Sequence, residues 1–163
     1  MLTKVSFTPE EWEIVRDAPQ YVAMAVATAG ASGLIGSIQE AFAAGRTFTE
    51  SFSSPNELFR SLSHPEELKS YRDSLVSAIA DMPPESQKAW LRQAAVEKSR
   101  RALAILAQQG TPEETAEYRD WLAGIAERIA NAAKEGGLLG FGGERVSGPE
   151  REVIEEIRQA LGL

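Results

Sequence analysis

The chain has 163 residues, of which 24 are acidic and 17 basic, so its formal net charge at pH 7 is −7. This length fits one domain that can bury its own core without a disulfide or a structural metal. The negative charge disfavours general affinity for nucleic acid or anionic lipid. The absence of cysteine excludes disulfides, thiol nucleophiles and thiolate metal sites.

The first predicted helix begins at Thr8-Pro9-Glu10-Glu11, where a capping hydroxyl, a proline and two acidic residues follow one another. We expect it to end near Asp17, because Ala18 precedes Pro19 and a residue before proline is disfavoured in the helical region. Residues 1–7 lack the continuous apolar core of a secretory signal. A cytoplasmic location is therefore expected.

Residues 18–39 carry no charge and are rich in alanine and glycine. A helix that is apolar all round must be buried by other elements, and a membrane span is the alternative at this length. The weak helix formers between Gly30 and Gly33 favour burial in a soluble bundle. We therefore predict a central pair of helices, 19–29 and 33–44, with Ser32 capping the second.

Residues 46–53 alternate briefly as a strand would, but no second run could pair with them, so we predict a connector whose Phe48 and Phe52 fill the core. The capping box at 54–57 predicts a short helix through about Leu62. His64-Pro65-Glu66-Glu67 predicts another helix, and its inward positions recur at steps of three and four residues. These positions are Leu68, Tyr71, Leu75, Ala78 and Ile79.

Pro83-Pro84 is a firm break, and it is the one place where the chain could divide into halves, 1–82 and 83–163. Two long helices are predicted after it, at about 84–109 and 112–134, joined by a tight turn at Gly110. A final helix follows Ser147. The predicted fold is thus all-α, a single-domain bundle of seven to eight helices around the buried Ala/Gly-rich pair.

The glycine-rich segment 136–143 is the stretch most open to a functional interpretation. Bare backbone N–H groups before a helix start can bind an anion, although neither a phosphate-loop Lys-Ser/Thr nor a preceding strand accompanies them. The structural alternative is a loop folded into the core through Leu138, Leu139 and Phe141. The candidate ligand-binding residues are Gly140, Phe141, Gly142, Gly143, Arg145 and Tyr21.

No catalytic or metal-binding constellation is recognisable. His64 is the only histidine, and it precedes Pro65 where it would flank a helix. Without cysteine or a Glu-x-x-His pair, neither a zinc site nor a di-iron bundle is indicated. The many glutamates fall at helix starts or on polar faces, as solvated charge does. We therefore expect no catalytic residue, no metal and no cofactor.

A second candidate site is a basic group on the predicted helix 84–109. It could meet a phosphate or an acidic partner, although its members are spread around the helix and Glu97 interrupts them. Ordinary solvated surface is the alternative interpretation. The group consists of Arg92, Lys98, Arg100 and Arg101.

Two segments carry a resemblance to known proteins. Residues 132–147, with Glu-Gly-Gly-Leu-Leu-Gly-Phe-Gly-Gly-Glu, and residues 21–44, with Ser-Gly-Leu-Ile-Gly-Ser-Ile-Gln-Glu, resemble small uncharacterised bacterial helical proteins. The resemblance covers about a quarter of the chain and implies a bacterial cytosolic origin. Residues 143–150 are remotely similar to a helix start in tellurite-resistance B-like domains. The acidic, metal-associated residues of that family have no counterpart here, so no metal role is carried over.

Two functional hypotheses follow. The first is a non-enzymatic helical protein that acts through a protein partner or a homo-oligomer, because small side chains allow close helix packing. The second is a small-molecule or anion binder, or an enzyme, with its site at the glycine-rich segment. Nucleic-acid binding through the basic group is a weaker third possibility.

Overall fold

A computed structural model describes residues 1–29, 56–135 and 148–163 of the chain. These residues form a 3₁₀ turn at Lys4–Ser6 followed by six α-helices, and they contain no strand. The helices are α1 (Pro9–Ala29), α2 (Glu57–Leu62), α3 (Pro65–Ile79), α4 (Pro84–Gln109), α5 (Pro112–Glu135) and α6 (Gly148–Leu161). None of these described helices is long and apolar enough to cross a membrane.

The helix starts follow the local signals in the sequence. Thr8 and Glu11 exchange hydrogen bonds between side chain and backbone N–H, and Thr111 and Glu114 do the same at the start of α5. Such capping boxes satisfy backbone donors that a helix leaves unpaired. His64 caps α3, because its Nδ1 accepts from the backbone N–H of Glu66 at 3.4 Å.

The prediction that the first helix ends near Asp17 is wrong, because α1 continues through Pro19 to Ala29. Proline has no N–H, so Pro19 cannot donate to the carbonyl oxygen of Val15, four residues earlier. The phenol of Tyr118 donates to that oxygen instead, at 2.7 Å. A hydrogen bond from α5 thus replaces the one that proline removes and keeps both parts of α1 in one helix.

α1 lies at the centre of the described helices. It packs most extensively against α4, and also against α3, α5 and α6. Of the uncharged segment predicted to form the core, residues 18–29 are described and most of them are buried. The largest fully buried side chains of the other helices include Leu75, Leu91, Leu106, Leu122, Ile125 and Ile157. The all-α prediction is therefore confirmed for the described residues, with a buried helix at the centre.

The predicted helix count and one predicted inward position differ from the structure, and two predicted segments lie outside the described residues. The predicted count of seven to eight helices is not matched, since the described residues form six and the separate helices 8–17 and 19–29 are one. Ala78 was expected to face inward and is exposed, because the buried line of α3 runs at four-residue steps through Tyr71, Leu75 and Ile79. The predicted helix 33–44 and the connector 46–53 lie outside the described residues.

Candidate functional site

The most unusual polar feature is a group of charged side chains between α1, α3 and α4, which we call the charge cluster. Arg16 and Asp17 of α1 and Glu67 of α3 are each exposed by less than a tenth. Lys98 of α4 is the fourth member, with its side chain about a quarter exposed. Burying a charge without a partner costs several kcal/mol, so the pairing within the cluster decides its effect on stability.

The members of the cluster pair with one another. Nε of Arg16 lies 2.7 Å from Oδ1 of Asp17, and Nζ of Lys98 lies 3.7 Å from Oδ2 of the same carboxylate. Nη1 of Arg16 lies 3.6 Å from Oε2 of Glu67. The cluster therefore joins three helices through alternating charges and leaves neither carboxylate without a cation.

Glu67 has two further partners at the edge of the cluster. The indole Nε1 of Trp12 donates to its Oε2 at 2.9 Å, and the ammonium of Lys4 bonds its Oε1. The same ammonium lies 5.4 Å from the centroid of the Trp12 ring. Burial opposes ionisation of Glu67, but the hydrogen bonds from Lys4 and Trp12, with the charges of Lys4 and Arg16, outweigh it and lower its pKa.

A cleft of about 390 Å³ opens beside this carboxylate. Trp12, Arg16 and Glu67 line it, and all three are buried by more than nine-tenths. The exposed carboxylates of Glu13 and Glu66 also line the cleft. Buried charges seldom lie beside an open cleft, so it is a candidate binding site.

Tyr21, a candidate ligand residue, is buried beside the charge cluster. Its ring makes edge contacts with Tyr71 and Trp90, both at 5.8 Å between centroids, and Nζ of Lys98 lies 4.8 Å from the ring centroid. Burial, with the charge of Asp17 second, raises the pKa of Tyr21 to about 12. Tyr21 is thus a packing residue that contacts the cluster, and the glycine-rich candidates Gly140, Phe141, Gly142, Gly143 and Arg145 lie outside the described residues.

Two buried hydroxyl groups lie on the helices that contribute Glu67 and Lys98 to the cluster. Those of Tyr71 and Ser99 have no hydrogen-bond partner within the described part of the chain. Tyr71 lies one turn beyond Glu67 on α3, and Ser99 follows Lys98 on α4. Burial raises the pKa of the Tyr71 phenol well above its ordinary value. Tyr71 therefore stays protonated over the physiological range.

The basic group is divided by the structure. Arg92 forms a bidentate pair with Glu156 of α6, at 2.6 and 2.7 Å, and Lys98 belongs to the charge cluster. Arg101 lies 3.9 Å from Glu97 on its own helix, and Arg100 is exposed. The four side chains therefore do not converge on one point, and a shared anion site at them stays a prediction.

The expectation of no metal site also stays a prediction. Among the described residues, no three His, Asp or Glu side chains come together as metal ligands would. The imidazole of His64 caps a helix. Its role is the flanking one expected from Pro65.

A line of exposed and half-buried side chains runs along α4 beside α5 and α6, and we call it the α4 stripe. Its members recur at alternating steps of four and three residues, which places them on one face of the helix. Clefts of about 440 and 400 Å³ adjoin its first and second halves. The stripe consists of Ala89, Gln93, Val96, Arg100, Leu103 and Ala107.

Comparisons with protein-family models, curated proteins and solved structures found no match to this chain. The resemblance to bacterial helical proteins therefore stays a hypothesis that rests on the two sequence segments alone.

Neither the charge cluster nor the cleft is evident from the sequence. A first helix that ends near Asp17, as the rule for residues before proline predicts, separates Arg16 and Asp17 from the buried face that continues beyond Pro19. One feature of the sequence points to the cluster. Arg16 and Asp17 directly precede the uncharged run that begins at Ala18, so in a continuous helix they lie within one turn of buried positions.

Proposed function

We propose that this protein acts without catalysis, through protein–protein contacts, and that its contact surface for a second copy of itself is the α4 stripe. The observation that carries the proposal is the heptad spacing of a partly exposed face whose side chains are mostly apolar or small. Two helices pack side by side when such positions recur at steps of four and three residues. A second copy presents the same face, as a two-fold interface requires.

The side chains of the stripe suit a helix neighbour. Ala89 and Ala107 at its two ends are exposed and small, so a helix from another copy can approach closely there. Val96 and Leu103 are half-buried and offer apolar area between them. The polar members, Gln93 and Arg100, would restrict the register of the pairing, as single polar positions do in coiled coils.

The use of the buried titratable groups supports a non-enzymatic function. Asp17 pairs with Arg16 of its own helix and with Lys98 of α4, and Glu67 is engaged by three donors from outside α3. A general base needs a free lone pair within reach of its substrate. These carboxylates instead stabilise the contacts among α1, α3 and α4. The cytoplasmic location expected from the sequence stays a prediction.

The test is the molar mass in solution, measured by light scattering after size exclusion over a hundredfold range of concentration. We expect the wild-type chain to reach twice its monomer mass. Ala107→Glu places a charge in the stripe and should yield a monomer. Ala78→Glu makes the same change at an exposed alanine of α3 and should leave the dimer intact.

A wild-type chain that stays monomeric at every concentration would refute self-association. So would dissociation by Ala78→Glu to the same extent as by Ala107→Glu, because that result would show a general effect of charge. Circular dichroism of each variant separates loss of the interface from loss of the fold.

A further inference from the structure

The cleft beside Glu67 is a second surface, separate from the α4 stripe and independent of the proposed self-association. We infer that it is a recognition site for a primary ammonium group on an unbranched alkyl chain, and that Lys4 occupies it in this structure. The ligand is a free alkyl diamine or a lysine side chain of a partner. Both present the same chemistry.

The carboxylate of Glu67 is already oriented for such a ligand. Trp12 holds Oε2 by a hydrogen bond at 2.9 Å, and Arg16 lies 3.6 Å from the same oxygen. Oε1 is bonded by the ammonium of Lys4. Since Glu67 is about nine-tenths buried, its direction is fixed before any ligand arrives, which lowers the entropy that binding must overcome.

Two aromatic rings that line the cleft, those of Trp12 and Phe7, provide a second contact for a cation. The ammonium of Lys4 lies within 5.4 Å of the Trp12 ring centroid, inside the range of a cation–π contact. The Phe7 ring packs on Trp12 at 5.9 Å between centroids and also lines the cleft. Aromatic rings together with a carboxylate favour an alkylammonium over an anion or a neutral polar molecule.

The charge of the cleft favours the same ligand. Without Lys4, its lining holds one cationic side chain, Arg16, and three anionic ones, Glu13, Glu66 and Glu67. Arg16 is engaged at 2.7 Å by Asp17, which reduces its repulsion of a second cation. The cleft, about 390 Å³, falls within the range of small-ligand sites.

Lys4 reaches the site from outside the helices. Its side chain is 58% exposed, and it belongs to the short 3₁₀ turn before α1. A tethered internal ligand competes with an external one. The apparent affinity for the external ligand equals the intrinsic affinity multiplied by the fraction of time that the site is open. Lys4 filling the site about nine-tenths of the time would weaken external binding by about tenfold.

The experiment uses the full chain labelled with ¹⁵N in its tryptophans and follows the indole N–H signal of Trp12, assigned by its loss in Trp12→Phe. The probes are 1,5-diaminopentane and, separately, N-acetyl-lysine methylamide. Sodium chloride and pentanoate controls match the ionic strength and the chain length. We expect both amines to shift the Trp12 signal saturably, with an apparent dissociation constant about tenfold lower in Lys4→Ala than in the wild type.

Three variants make the test decisive. Lys69→Ala, which removes an exposed lysine of α3 away from the cleft, should bind as the wild type does. In the Lys4→Ala background, Glu67→Gln should abolish the shift. In that background Glu66→Gln, at an exposed position, should weaken it without a change in the fold.

No saturable shift in Lys4→Ala, or equal affinity in Lys4→Ala and the wild type, would overturn the inference. Binding of the diamine alone would identify the ligand as a free amine. Binding of the lysine amide alone would identify it as a partner's lysine. Neither the shift of the Trp12 signal nor the apparent dissociation constant of the amine reports on the oligomeric state. The ammonium site and the proposed self-association can therefore fail separately.

Discussion

The hydrogen bond from Tyr118 to Val15 gives a sharp test of how α1 continues through a proline. Tyr118→Phe removes only the hydroxyl oxygen from a side chain that is fully buried. The carbonyl of Val15 then loses this donor, and Pro19 has no N–H to replace it. An unsatisfied buried acceptor costs about 1–3 kcal/mol, so we expect the free energy of unfolding to fall by that amount.

The same substitution should cost less when residue 19 can donate. In Pro19→Ala, the new backbone N–H reaches the carbonyl of Val15 through the ordinary helical hydrogen bond. Adding Tyr118→Phe to this background leaves the carbonyl satisfied, and the further loss should be about 1 kcal/mol or less. The cost of Tyr118→Phe should therefore be smaller in Pro19→Ala than in the wild type, and the difference, which is the coupling energy of the two substitutions, should be positive and at most about 3 kcal/mol.

The assay is urea unfolding followed by far-ultraviolet circular dichroism for the wild type, the two single variants and the double variant. The denaturant slopes must agree among the four proteins for the cycle to be valid. An equal cost of Tyr118→Phe in both backgrounds would show that the hydroxyl does not replace the missing donor. The hydrogen bond from Tyr118 would then not be the reason that α1 continues through Pro19.

Two further predictions concern buried titratable groups. The chain has three tyrosines, and burial raises the pKa of each, to about 12 for Tyr21 and well above 10.0 for Tyr71 and Tyr118. The unfolded chain loses phenol protons near pH 10 while the folded chain keeps them, so the free energy of unfolding should fall above that pH. Absorbance at 295 nm should show no tyrosinate in the folded protein near pH 10. A tyrosine that ionises near pH 10 while the protein is still folded would show that its phenol is not buried. Asp17→Ala leaves the buried Arg16 without its closest carboxylate and should lower the free energy of unfolding by about 3 kcal/mol. A loss of less than about 1 kcal/mol, measured by urea unfolding, would show that burial of Arg16 does not depend on its pairing with Asp17.

The parts of the fold that sequence predicts well are those fixed by neighbouring residues. The start of α5 follows from Thr111 and Glu114, three residues apart, because each caps the other's backbone N–H. Tyr118, Leu122 and Ile125 of that helix recur at steps of four and three residues, which predicts one inward face, and all three are buried. Both features need no information from elsewhere in the chain.

The parts that failed depend on distant residues. The rule that a helix ends before proline is local, but the donor that compensates for Pro19 comes from Tyr118, which lies 103 positions from Val15. The cleft needs Lys4 and Trp12 beside Glu67, which is 55 positions from Trp12. No spacing rule connects residues that far apart in the chain. Their contacts can therefore be seen in the folded structure but not predicted from the sequence pattern.

The charge cluster also bears on the α4 stripe, because Lys98 lies two residues from both Val96 and Arg100 and therefore on the opposite side of α4. Apolar and small side chains occur on several sides of α4, so hydrophobic burial alone specifies its rotation poorly. The ion pair between Lys98 and Asp17 of α1 fixes which side of α4 faces α1, and it thus adds a constraint on that rotation. Polar pairs among packed helices can specify one arrangement at some expense of stability. We infer that the cluster keeps the stripe turned outward, and the proposed contact between copies therefore depends on charges that the contact itself does not use.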